Sequence, residues 1–462
     1  MKSLFIFRRD FRLEDNTGLL QCIQDSSEVF LVFIFTPDQV SKNDYFSSNA
    51  FQFLIESLEC LEKEIDKYSG KLHYYYGSNV SVLEQIKKMY SYEKVYSNQD
   101  FTPYALHRDE EMKKYLEKNN QELILVEDYL LAPMGTFCKK DGNPYQKYTP
   151  FWKNSWNFTI RQVNHDSPWN KKKSLFVSKN HSSIKLKDML IYYSINEQNM
   201  VKGGRNKALK ILDHIQTFKN YEEFRNDLTY ETTHLSSYIK YGNVSIREVY
   251  HLFSKKFGKK CTLNSQLVWR EFYFYIGFYF PRVLKGKSLK EKYDDIKWEN
   301  NKKYIEAWKK GQTGYPVVDA AMRQLNSIGF MHNRGRLITS AVLIKILKCD
   351  WRIGEKYFAQ QLIDYDPLVN NGNWQWSSGS GADSQPYFRI FNPWTQSKKF
   401  DPDCVYIKQW VPELKDVPSK QIHEWYKYCG DYPTLSYPNP INNYEEAREE
   451  IKEIYKKGIY DD

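Results

Sequence analysis

Residues 29–35 read Val29-Phe30-Leu31-Val32-Phe33-Ile34-Phe35, an apolar run without a polar interruption. A continuous run of this length, rich in β-branched and aromatic residues, indicates a strand that is buried on both faces. Strands of this kind belong to parallel sheets that are covered by helices. Four further runs within the first 130 residues have the same character: Leu4–Phe7, Leu72–Tyr76, Val95–Tyr96 and Leu123–Val126.

The segments between these runs carry apolar residues at helical spacing. One stripe consists of Phe51, Leu54, Ile55, Leu58, Leu61 and Ile65, and another of Val82, Ile86, Met89 and Tyr90. The alternation of strands and helices predicts a doubly wound parallel α/β domain over residues 1–130. The first strand is followed by Arg8-Arg9-Asp10-Phe11-Arg12 and not by GxGxxG. We therefore do not expect a dinucleotide to bind here through the usual glycine loop.

The remaining sequence predicts a linker and a second domain. Residues 131–207 are polar, with little periodicity, which indicates a long interdomain connection. Segments 264–280, 317–329 and 336–348 then carry helix-period apolar residues and lack strand alternation. We expect an all-α domain over residues 208–462. A chain of 462 residues exceeds what one core usually supports, in agreement with two domains.

Composition limits the function classes. Lys and Arg number 67 against 57 Asp and Glu, a net charge of +10 that favours polyanionic partners such as nucleic acid. Aromatic residues make up 16% of the chain, which suits stacking on planar ligands or bases. The seven cysteines are dispersed without CxxC or Cys/His spacing, so we expect neither disulfides nor a metal site, and an intracellular location. With no long apolar run, we expect no association with a membrane.

The stretch from Asp364 to Gly381 concentrates carboxylates, amides, glycines and two tryptophans. Buried carboxylates and amides need partners. Trp374 and Trp376 are two residues apart, so on a helix they point about 200° from each other and serve two environments. A planar ligand between polar groups would account for this composition. A polar seam between the two domains is the alternative.

A second polar set occurs in residues 331–337. Asn333, Arg336 and Leu337 share one face at i, i+3, i+4 spacing if the segment is helical. Arg336 is a candidate partner for the carboxylate of Asp364. The alternative is a surface helix with solvated arginines. His332 is a candidate acid or base, although a lone histidine is more often structural.

Gln266 and Trp269 are spaced i, i+3 in the segment 265–272. On a helix they share a face, where an amide and an indole could meet a base or another planar ligand. An ordinary core tryptophan beside surface polar residues is the alternative.

Several of these segments resemble the DNA photolyase/cryptochrome family, and most of all the class I photolyases that repair cyclobutane pyrimidine dimers. The matching motifs occur in the family's order and cover nearly the whole chain: Phe7–Asn16, Trp269–Phe272, Gly311–Leu325, Met331–Arg334 and Asn370–Trp376. Several long motifs in the correct order are far more specific than one short pattern.

The resemblance implies an α/β antenna domain and a helical domain that holds FAD, with a damaged dinucleotide flipped into a cavity above it. The implied reaction is light-dependent. An electron passes from excited FADH⁻ to the dimer, the ring splits and the electron returns, so the enzyme is a lyase. The protein supplies binding, orientation and electrostatics. The implied partner is DNA that contains pyrimidine dimers, and we expect a monomer.

The match also implies residue roles. The Arg336–Asp364 pair would lie beside the isoalloxazine, Asp366 would meet its polar edge, and Asn370 would face flavin N5. The residues that would bind FAD are Tyr221, Thr232, Thr233, Leu235, Ser236, Arg336, Asp364, Asp366 and Asn370. A three-tryptophan electron chain would consist of Trp374, Trp351 and Trp298.

On the DNA side, Trp269 and Trp376 would stack on the flipped lesion, which offsets part of the cost of flipping it. Gln266 and Asn333 would contact the lesion together with Leu337. Arg225, Arg334 and Arg389 are candidates for phosphate contacts.

The chain departs from the family pattern at several positions. His234 stands where Arg is usual, Leu337 replaces a Met, and Gln266 replaces the dimer-contacting Glu and so removes a carboxylate. Tyr104 and Ala105 occupy the positions of the Asn and Glu that bind a folate antenna in some members, so the second chromophore stays open.

Three alternatives to cyclobutane dimer repair remain. A cryptochrome light receptor would use the same flavin, but Asn370 and the absence of a long C-terminal extension favour a photolyase. A (6-4) photolyase is favoured by Gln266, but it needs histidine at the positions of Asn333 and Leu337. A DASH-type enzyme is disfavoured by His332 and Trp376.

Overall fold

The computed structural model describes residues 1–170 and 175–460. Its N-terminal part contains a parallel sheet with the strand order β3-β2-β1-β4-β5. The strands are β1 (Lys2–Phe7), β2 (Glu28–Phe35), β3 (Leu72–Tyr76), β4 (Lys94–Asn98) and β5 (Glu122–Val126). The chain winds outward from β1 to β3 and then crosses back to β4. The predicted doubly wound α/β domain and helical C-terminal region are confirmed.

The central strands β1 and β2 are buried on both faces along nearly their whole length, whereas the edge strand β5 is only partly buried. Alternate side chains of one strand enter different cores because successive residues point to opposite faces. Phe5 and Phe7 join the core on one face, whereas Leu4 and Ile6 join the core on the other. Each of these four residues is at most 1% exposed.

Helices flank the sheet and form the rest of the chain. Those of the α/β part are α1 (Thr17–Asp25), α2 (Pro37–Val40), α3 (Ser48–Asp66), α4 (Asn79–Lys87) and α5 (Pro103–Lys118). The prediction placed Met89 and Tyr90 on the α4 stripe, but α4 ends at Lys87 and Met89 is exposed. Two residues of that stripe therefore lie beyond the helix.

The predicted linker, residues 131–207, contains α6 (Tyr148–Ser155) and includes residues 171–174, which lie outside the described residues. The helices that follow are α7 (Arg205–Asp213), α8 (Tyr221–Phe224), α9 (Leu235–Lys240), α10 (Ile246–Phe257), α11 (Thr262–Tyr279), α12 (Lys302–Lys310), α13 (Pro316–Ile328), α14 (Asn333–Lys345), α15 (Trp351–Gln361), α16 (Pro367–Ser378), α17 (Pro393–Phe400), α18 (Val405–Trp410), α19 (Ser419–His423), α20 (Trp425–Tyr428) and α21 (Tyr444–Tyr460). Short 3₁₀ segments cover Pro168–Asn170, Leu186–Tyr192, Ile215–Phe218, Pro281–Lys285, Glu291–Asp294, Pro412–Leu414 and Cys429–Asp431.

A buried ionic network joins the α/β part to α10. Asp128 accepts hydrogen bonds from Arg12 Nη2 (2.6 Å) and Arg247 Nη2 (2.7 Å), and Asp15 accepts from Arg247 Nε (2.9 Å). These side chains are at most 3% exposed. Burial opposes ionisation of Asp128, but Arg12 and Arg247 outweigh it and hold its pKa far below the usual range. The network ties α10 to the segments that follow β1 and β5.

Across residues 1–170 and 175–460, none of the helices combines the length and the apolar character that crossing a membrane requires. All seven cysteines lie within these ranges, and each carries a free thiol.

Candidate active site

A cavity of about 630 Å³ opens among the helices of the C-terminal part. It brings together most of the residues that the sequence singled out. The residues expected to bind FAD all line it: Tyr221, Thr232, Thr233, Leu235, Ser236, Arg336, Asp364, Asp366 and Asn370. The other candidates that line it are Arg225, Gln266, Trp269, Asn333, Leu337, Trp374 and Trp376.

Helix α14 presents Asn333, Arg336 and Leu337 to this cavity from one face. Its start is fixed by His332, whose Nδ1 accepts a hydrogen bond from the backbone N–H of Arg334 (3.1 Å). Burial, and then the charges of Arg334 and Arg336, lower the pKa of His332 to about 4. His332 is therefore neutral near pH 7 and serves as a helix cap, which argues against the acid–base role.

Asp364 is held from two directions. Arg336 Nη2 donates to both carboxylate oxygens, at 3.1 Å and 3.0 Å, and the Oγ of Ser236 donates to Oδ2 at 2.7 Å. Arg336 is itself fixed, because its Nε donates to the carbonyl oxygen of Met331 (2.9 Å). The ion pair suggested by the sequence is therefore present and lies in the cavity wall.

Asp366 begins α16 and connects the cavity to the sheet. Its Oδ1 accepts from the backbone N–H groups of Leu368 (3.0 Å) and Val369 (3.3 Å), as expected of a helix cap that precedes a proline. Its Oδ2 accepts from Arg9 Nη2 at 2.5 Å. Burial alone would raise the pKa of Asp366, but Arg9, Lys240 and Arg270 outweigh it and lower the pKa to about 2.

Asn370 lies one helical turn beyond Asp366. Its Nδ2 donates to the backbone carbonyl of Glu355 (3.0 Å) and to Glu355 Oε1 (3.2 Å). Both amide protons are thereby engaged, so the Oδ1 of Asn370 is left as an acceptor for a ligand. Burial raises the pKa of Glu355 to about 7.

The two tryptophans of α16 occupy different environments, as their spacing indicates. Trp374 is 2% exposed and packs edge-on against Phe358, with ring centres 4.9 Å apart, and against Trp308 at 6.2 Å. Trp376 is only half-buried and borders the cavity.

Trp351 and Trp298 lie outside the cavity wall. Trp351 is 1% exposed, and the partly buried Trp298 packs edge-on against Tyr455 at 5.6 Å. The cavity therefore gathers only the first member of the expected electron chain.

Trp269 on α11 is backed by an aromatic residue from the predicted linker. Its ring stacks on Tyr148 with centres 3.6 Å apart and planes 9° apart. The phenol of Tyr148 donates to the carbonyl oxygen of Ser265, one turn earlier on α11, at 2.7 Å. Because Tyr148 covers one face of the indole, Trp269 can offer only its other face or an edge to a ligand.

Two of the three expected phosphate-binding arginines lie outside the cavity wall. Arg334 Nη2 donates to Asn226 Oδ1 at 2.6 Å, and its guanidinium lies 4.2 Å from the ring centre of Phe400. Arg389 is exposed, and its Nη1 donates to Oε1 of Gln385, a residue at the cavity rim. Arg225 borders the cavity directly.

Several cavity residues did not emerge from the sequence as candidates: Lys240, Arg270, Tyr273, Phe330, Asp383 and Gln385. Arg270 belongs to the quoted Trp269–Phe272 motif, which could have pointed to it. Asp383 lies in non-periodic Gly/Ser-rich sequence that carries no comparable signal.

The residues present fit FAD. The hydroxyls of Thr232 and Thr233 can donate to phosphate oxygens, while that of Ser236 donates to Asp364. His234 borders the cavity in a left-handed backbone conformation, and in the described part of the chain both of its buried ring nitrogens lack a partner. Burial lowers the pKa of His234, so a neutral imidazole is available to a ligand. An unpaired buried polar group of this kind requires a partner.

Comparisons with known proteins point to the same family as the sequence motifs. The model of the family described as "DNA photolyase" matches residues 3–167, and that of "FAD binding domain of DNA photolyase" matches residues 262–457. The deoxyribodipyrimidine photo-lyase of Buchnera aphidicola subsp. Acyrthosiphon pisum is 34% identical over 99% of this chain and 97% of its own length.

Two solved structures share the fold. An archaeal photolyase from Sulfolobus tokodaii, described with two FAD molecules, is 37% identical with a TM-score of 0.88 and covers 99% of this chain and 100% of its own. A cryptochrome from Synechocystis sp. PCC6803 is 25% identical with a TM-score of 0.87 and covers 98% of this chain and 99% of its own. The motifs, the cavity and these similarities together establish that the chain belongs to the DNA photolyase family.

Proposed function

We propose that this protein repairs cyclobutane pyrimidine dimers in DNA in a light-dependent reaction, with FAD as its cofactor. The observation that carries the proposal is that one cavity combines the FAD-type polar set with Gln266, Trp269, Asn333 and Trp376. A cofactor and a flipped pyrimidine dimer can then lie in contact within one cavity, as a short-range electron transfer requires.

On the cofactor side, the chain's task is to hold and orient. The hydroxyls of Thr232 and Thr233 and the backbone N–H of Ser236, in the first turn of α9, would donate to the phosphates, with Tyr221 and Leu235 beside them. The Arg336–Asp364 pair would lie beside the flavin ring, and Asp366 would accept a ring N–H. Asn370 would present Oδ1 because Glu355 occupies its amide protons. When bound and photoexcited in its reduced form, FAD supplies the electron and takes it back.

On the lesion side, the chain's task is to receive two bases that have left the helix. Flipping costs a few kcal/mol, least where pairing is already broken, and stacking on Trp269 and Trp376 would offset it. Gln266 and Asn333 would donate amide hydrogen bonds to thymine carbonyls, with Leu337 as an apolar contact. Arg225, Arg334 and Arg389 would hold the phosphates of the damaged strand.

Trp374, Trp351 and Trp298 would form a relay between the cavity and the surface. Support comes from the position of Trp374 in the cavity wall and from the partial exposure of Trp298. One copy of the chain holds every group named here, so we propose that it acts as a monomer.

Repair of two oligonucleotides tests the function. One carries a thymine cyclobutane dimer and the other a (6-4) photoproduct, and each is illuminated with blue light in the presence of the flavin-loaded, photoreduced protein. We expect splitting of the cyclobutane dimer alone. Neither Asn333 nor Leu337 offers the imidazole that (6-4) repair needs, and the cap His332 is neutral.

The matched control is His332→Asn, which keeps a capping acceptor at the start of α14 but lacks the imidazole. It should retain repair. Repair of the (6-4) lesion by the parent protein, lost in His332→Asn, would contradict the proposal. Inactivity on both lesions with normal flavin photoreduction would instead favour a light receptor.

We further propose that the α/β domain binds a second chromophore. Doubly wound sheets bind ligands beyond the carboxyl ends of their strands, at the point where the strand order reverses. Here that point lies between β1 and β4, which are followed by Arg8 and Arg9 and by Asp100. Reconstitution with excess FAD, followed by gel filtration and release of bound flavin, should give two flavins per chain if FAD serves there. A ratio of one, with no other chromophore released, would contradict the proposal.

A further inference from the structure

Asp383 lies in the loop that follows α16 and borders the cavity. The loop is folded back on the helix end, because the backbone N–H groups of Ser380 and Gly381 donate to the carbonyl oxygen of Gln375 at 3.1 Å and 3.0 Å. Asp383 itself has a φ of 51°, a left-handed conformation that few residues other than glycine adopt.

Asp383 is also connected to the segment that contains Tyr148, the residue that stacks on Trp269. The backbone N–H of Asp383 donates to the carbonyl oxygen of Gln146 at 2.9 Å, two residues before Tyr148. Tyr148 stacks on Trp269, and Tyr273 packs beside Trp269 with ring centres 5.6 Å apart. Burial, and then the charge of Asp383, raise the pKa of Tyr273. The carboxylate therefore lies on the Trp269 side of the cavity.

Three aspartates border the cavity, and the carboxylates of two of them already accept hydrogen bonds from the protein. Asp364 accepts from Arg336 and Ser236, and Asp366 accepts from Arg9 and two backbone N–H groups. Among residues 1–170 and 175–460, no hydrogen bond or ion pair reaches the carboxylate of Asp383. A ligand that covers this carboxylate must donate to it, or binding is penalised.

The chemistry of DNA narrows what that donor can be. A free carboxylate repels the phosphodiester backbone, so it must face the neutral part of a nucleotide. Each thymine of a dimer carries one imide proton, at N3, between two carbonyl oxygens. The cavity also lacks the carboxylate that the family usually has at Gln266, where an amide can donate to a carbonyl but is a weaker acceptor.

We propose that Asp383 is a lesion-recognition residue whose carboxylate accepts the N3–H of a flipped thymine, while Gln266 donates to a carbonyl. This inference rests on the proposed repair of pyrimidine dimers. It assigns recognition of the imide to the loop after α16, and it explains how a chain with Gln266 keeps a charged acceptor at the lesion.

The test is binding in the dark, so it does not depend on repair. Fluorescence anisotropy measures the affinity of the flavin-loaded protein for three single-stranded oligonucleotides, which avoids differences in base pairing. One is undamaged, one carries a thymine cyclobutane dimer, and one carries that dimer with both N3 atoms methylated. The variants are Asp383→Gly, which removes the acceptor and suits a φ of 51°, and Asp383→Asn, which keeps a neutral acceptor and tolerates that φ.

The parent protein should prefer the unmethylated dimer over the methylated one by roughly 10- to 100-fold, the range of a hydrogen bond to a charged group. Asp383→Gly should lose most of that preference by weakening binding of the unmethylated dimer, and Asp383→Asn should be intermediate. Adding Gln266→Glu to Asp383→Gly should restore part of the preference, because a carboxylate returns to the lesion.

Unchanged preference in Asp383→Gly would overturn the inference, as would an equal loss for all three oligonucleotides, which would indicate a structural role. Equal tightening for all three would also overturn it, because the carboxylate would then only repel phosphate. If the parent protein showed no preference for the dimer over undamaged DNA, the proposed function itself would fail.

Discussion

The protonation state of Glu355, a buried residue that holds Asn370, affects the stability of the folded protein. Its pKa is raised to about 7 by burial, so the folded protein keeps a proton that the unfolded chain loses above its ordinary pKa. The unfolded state binds fewer protons between about pH 4.5 and pH 7, so the stability of the parent protein should fall across that window and then level off. Glu355→Gln does not titrate. Its stability relative to the parent protein should rise by roughly 3 kcal/mol over the same window.

Urea unfolding of both proteins at a series of pH values measures this difference. The control is Glu306→Gln on the surface of α12, where Glu306 pairs with Lys309 in solvent. Parallel pH profiles for the parent protein and Glu355→Gln would show that Glu355 titrates normally.

Tyr148 is expected to matter for the lesion although it does not border the cavity. Tyr148→Leu removes the ring that backs Trp269, so the indole is no longer held at one angle. We expect binding of dimer-containing DNA to weaken by about tenfold, comparable to the loss of one aromatic stacking contact. Binding of undamaged DNA should change little. Dark binding titrations with both oligonucleotides measure this.

Tyr148→Phe is the matched control, because it keeps the stacked ring and loses only the hydrogen bond to Ser265. It should bind close to the parent protein. If Tyr148→Phe were as weak as Tyr148→Leu, the hydrogen bond would be the important contact and the stacking argument would be wrong.

At the scale of elements, the contact between α15 and α16 bears on the tryptophan relay. A Cβ at Gly354 would lie 2.1 Å from Cη2 of Trp374 and 2.6 Å from a methyl carbon of Leu343. Gly354→Ala must therefore displace the indole, at a cost of about 1–3 kcal/mol. If Trp374 starts the relay, light-driven reduction of the bound flavin should slow severalfold, as followed by loss of its absorbance under blue light.

Gly430→Ala is the control, since nothing lies within 4 Å of the added methyl group. The flavin bound to Gly430→Ala should be reduced at the same rate as in the parent protein. If Gly354→Ala binds flavin at full occupancy and the flavin is reduced as fast as in the parent protein, Trp374 does not take part in the electron relay.

The elements themselves were accessible from sequence where the pattern was long. The runs in β1 and β2 and the stripe of α3 predicted the sheet and its covering helix, because burial on both faces leaves no polar positions. Element ends were less accessible: Met89 and Tyr90 continue the α4 stripe, yet the helix ends before them. The sequence did not indicate that α6 supports Trp269, because Tyr148 contacts Trp269 only once α6 packs against α11.

At the scale of the whole molecule, the network around Arg247 should decide whether the two parts hold together. Arg247→Met leaves Asp15 without its buried cationic partner, and Asp128 keeps Arg12 and two hydrogen bonds from Thr17. Removing one member of a buried ionic group costs roughly 3–5 kcal/mol. The free energy of unfolding in urea should fall by that amount. Arg161→Met is the control, because Arg161 also pairs with Asp15 but is 44% exposed, and its loss should cost less than about 1 kcal/mol.

The chain's net charge is +10, and the arginines proposed to contact phosphates should determine how DNA binding depends on salt. Each phosphate contact contributes a slope of about 0.9 in a plot of log affinity against log salt. The triple variant Arg225→Ala, Arg334→Ala, Arg389→Ala should reduce the slope by about 2–3. Lys118→Ala, at the end of α5 on the α/β part, should leave it unchanged. An unchanged slope in the triple variant would assign the phosphate contacts to other residues.

Much of the site followed from sequence because its motifs are contiguous. Asn333, Arg336 and Leu337 share a helix face at fixed spacing, and Asp364 to Trp376 are close in the chain. The rest depends on long-range packing. Arg9 and Asp366 form a hydrogen bond although they are 357 positions apart in the sequence. Asp383 is connected to the Tyr148–Trp269 stack by its backbone hydrogen bond to Gln146. The domain boundaries at residues 130 and 207 stay a prediction.

The bond between Arg9 and Asp366 also has a consequence for engineering. Because Arg9, just after the first strand, holds the cavity residue Asp366, the sheet cannot be replaced without regard to the helices. A chimaera that takes its first 130 residues from a relative should work only if the graft brings an arginine at position 9. Grafts that meet this condition would change the α/β part and keep the carboxylate of Asp366 in place in the cavity.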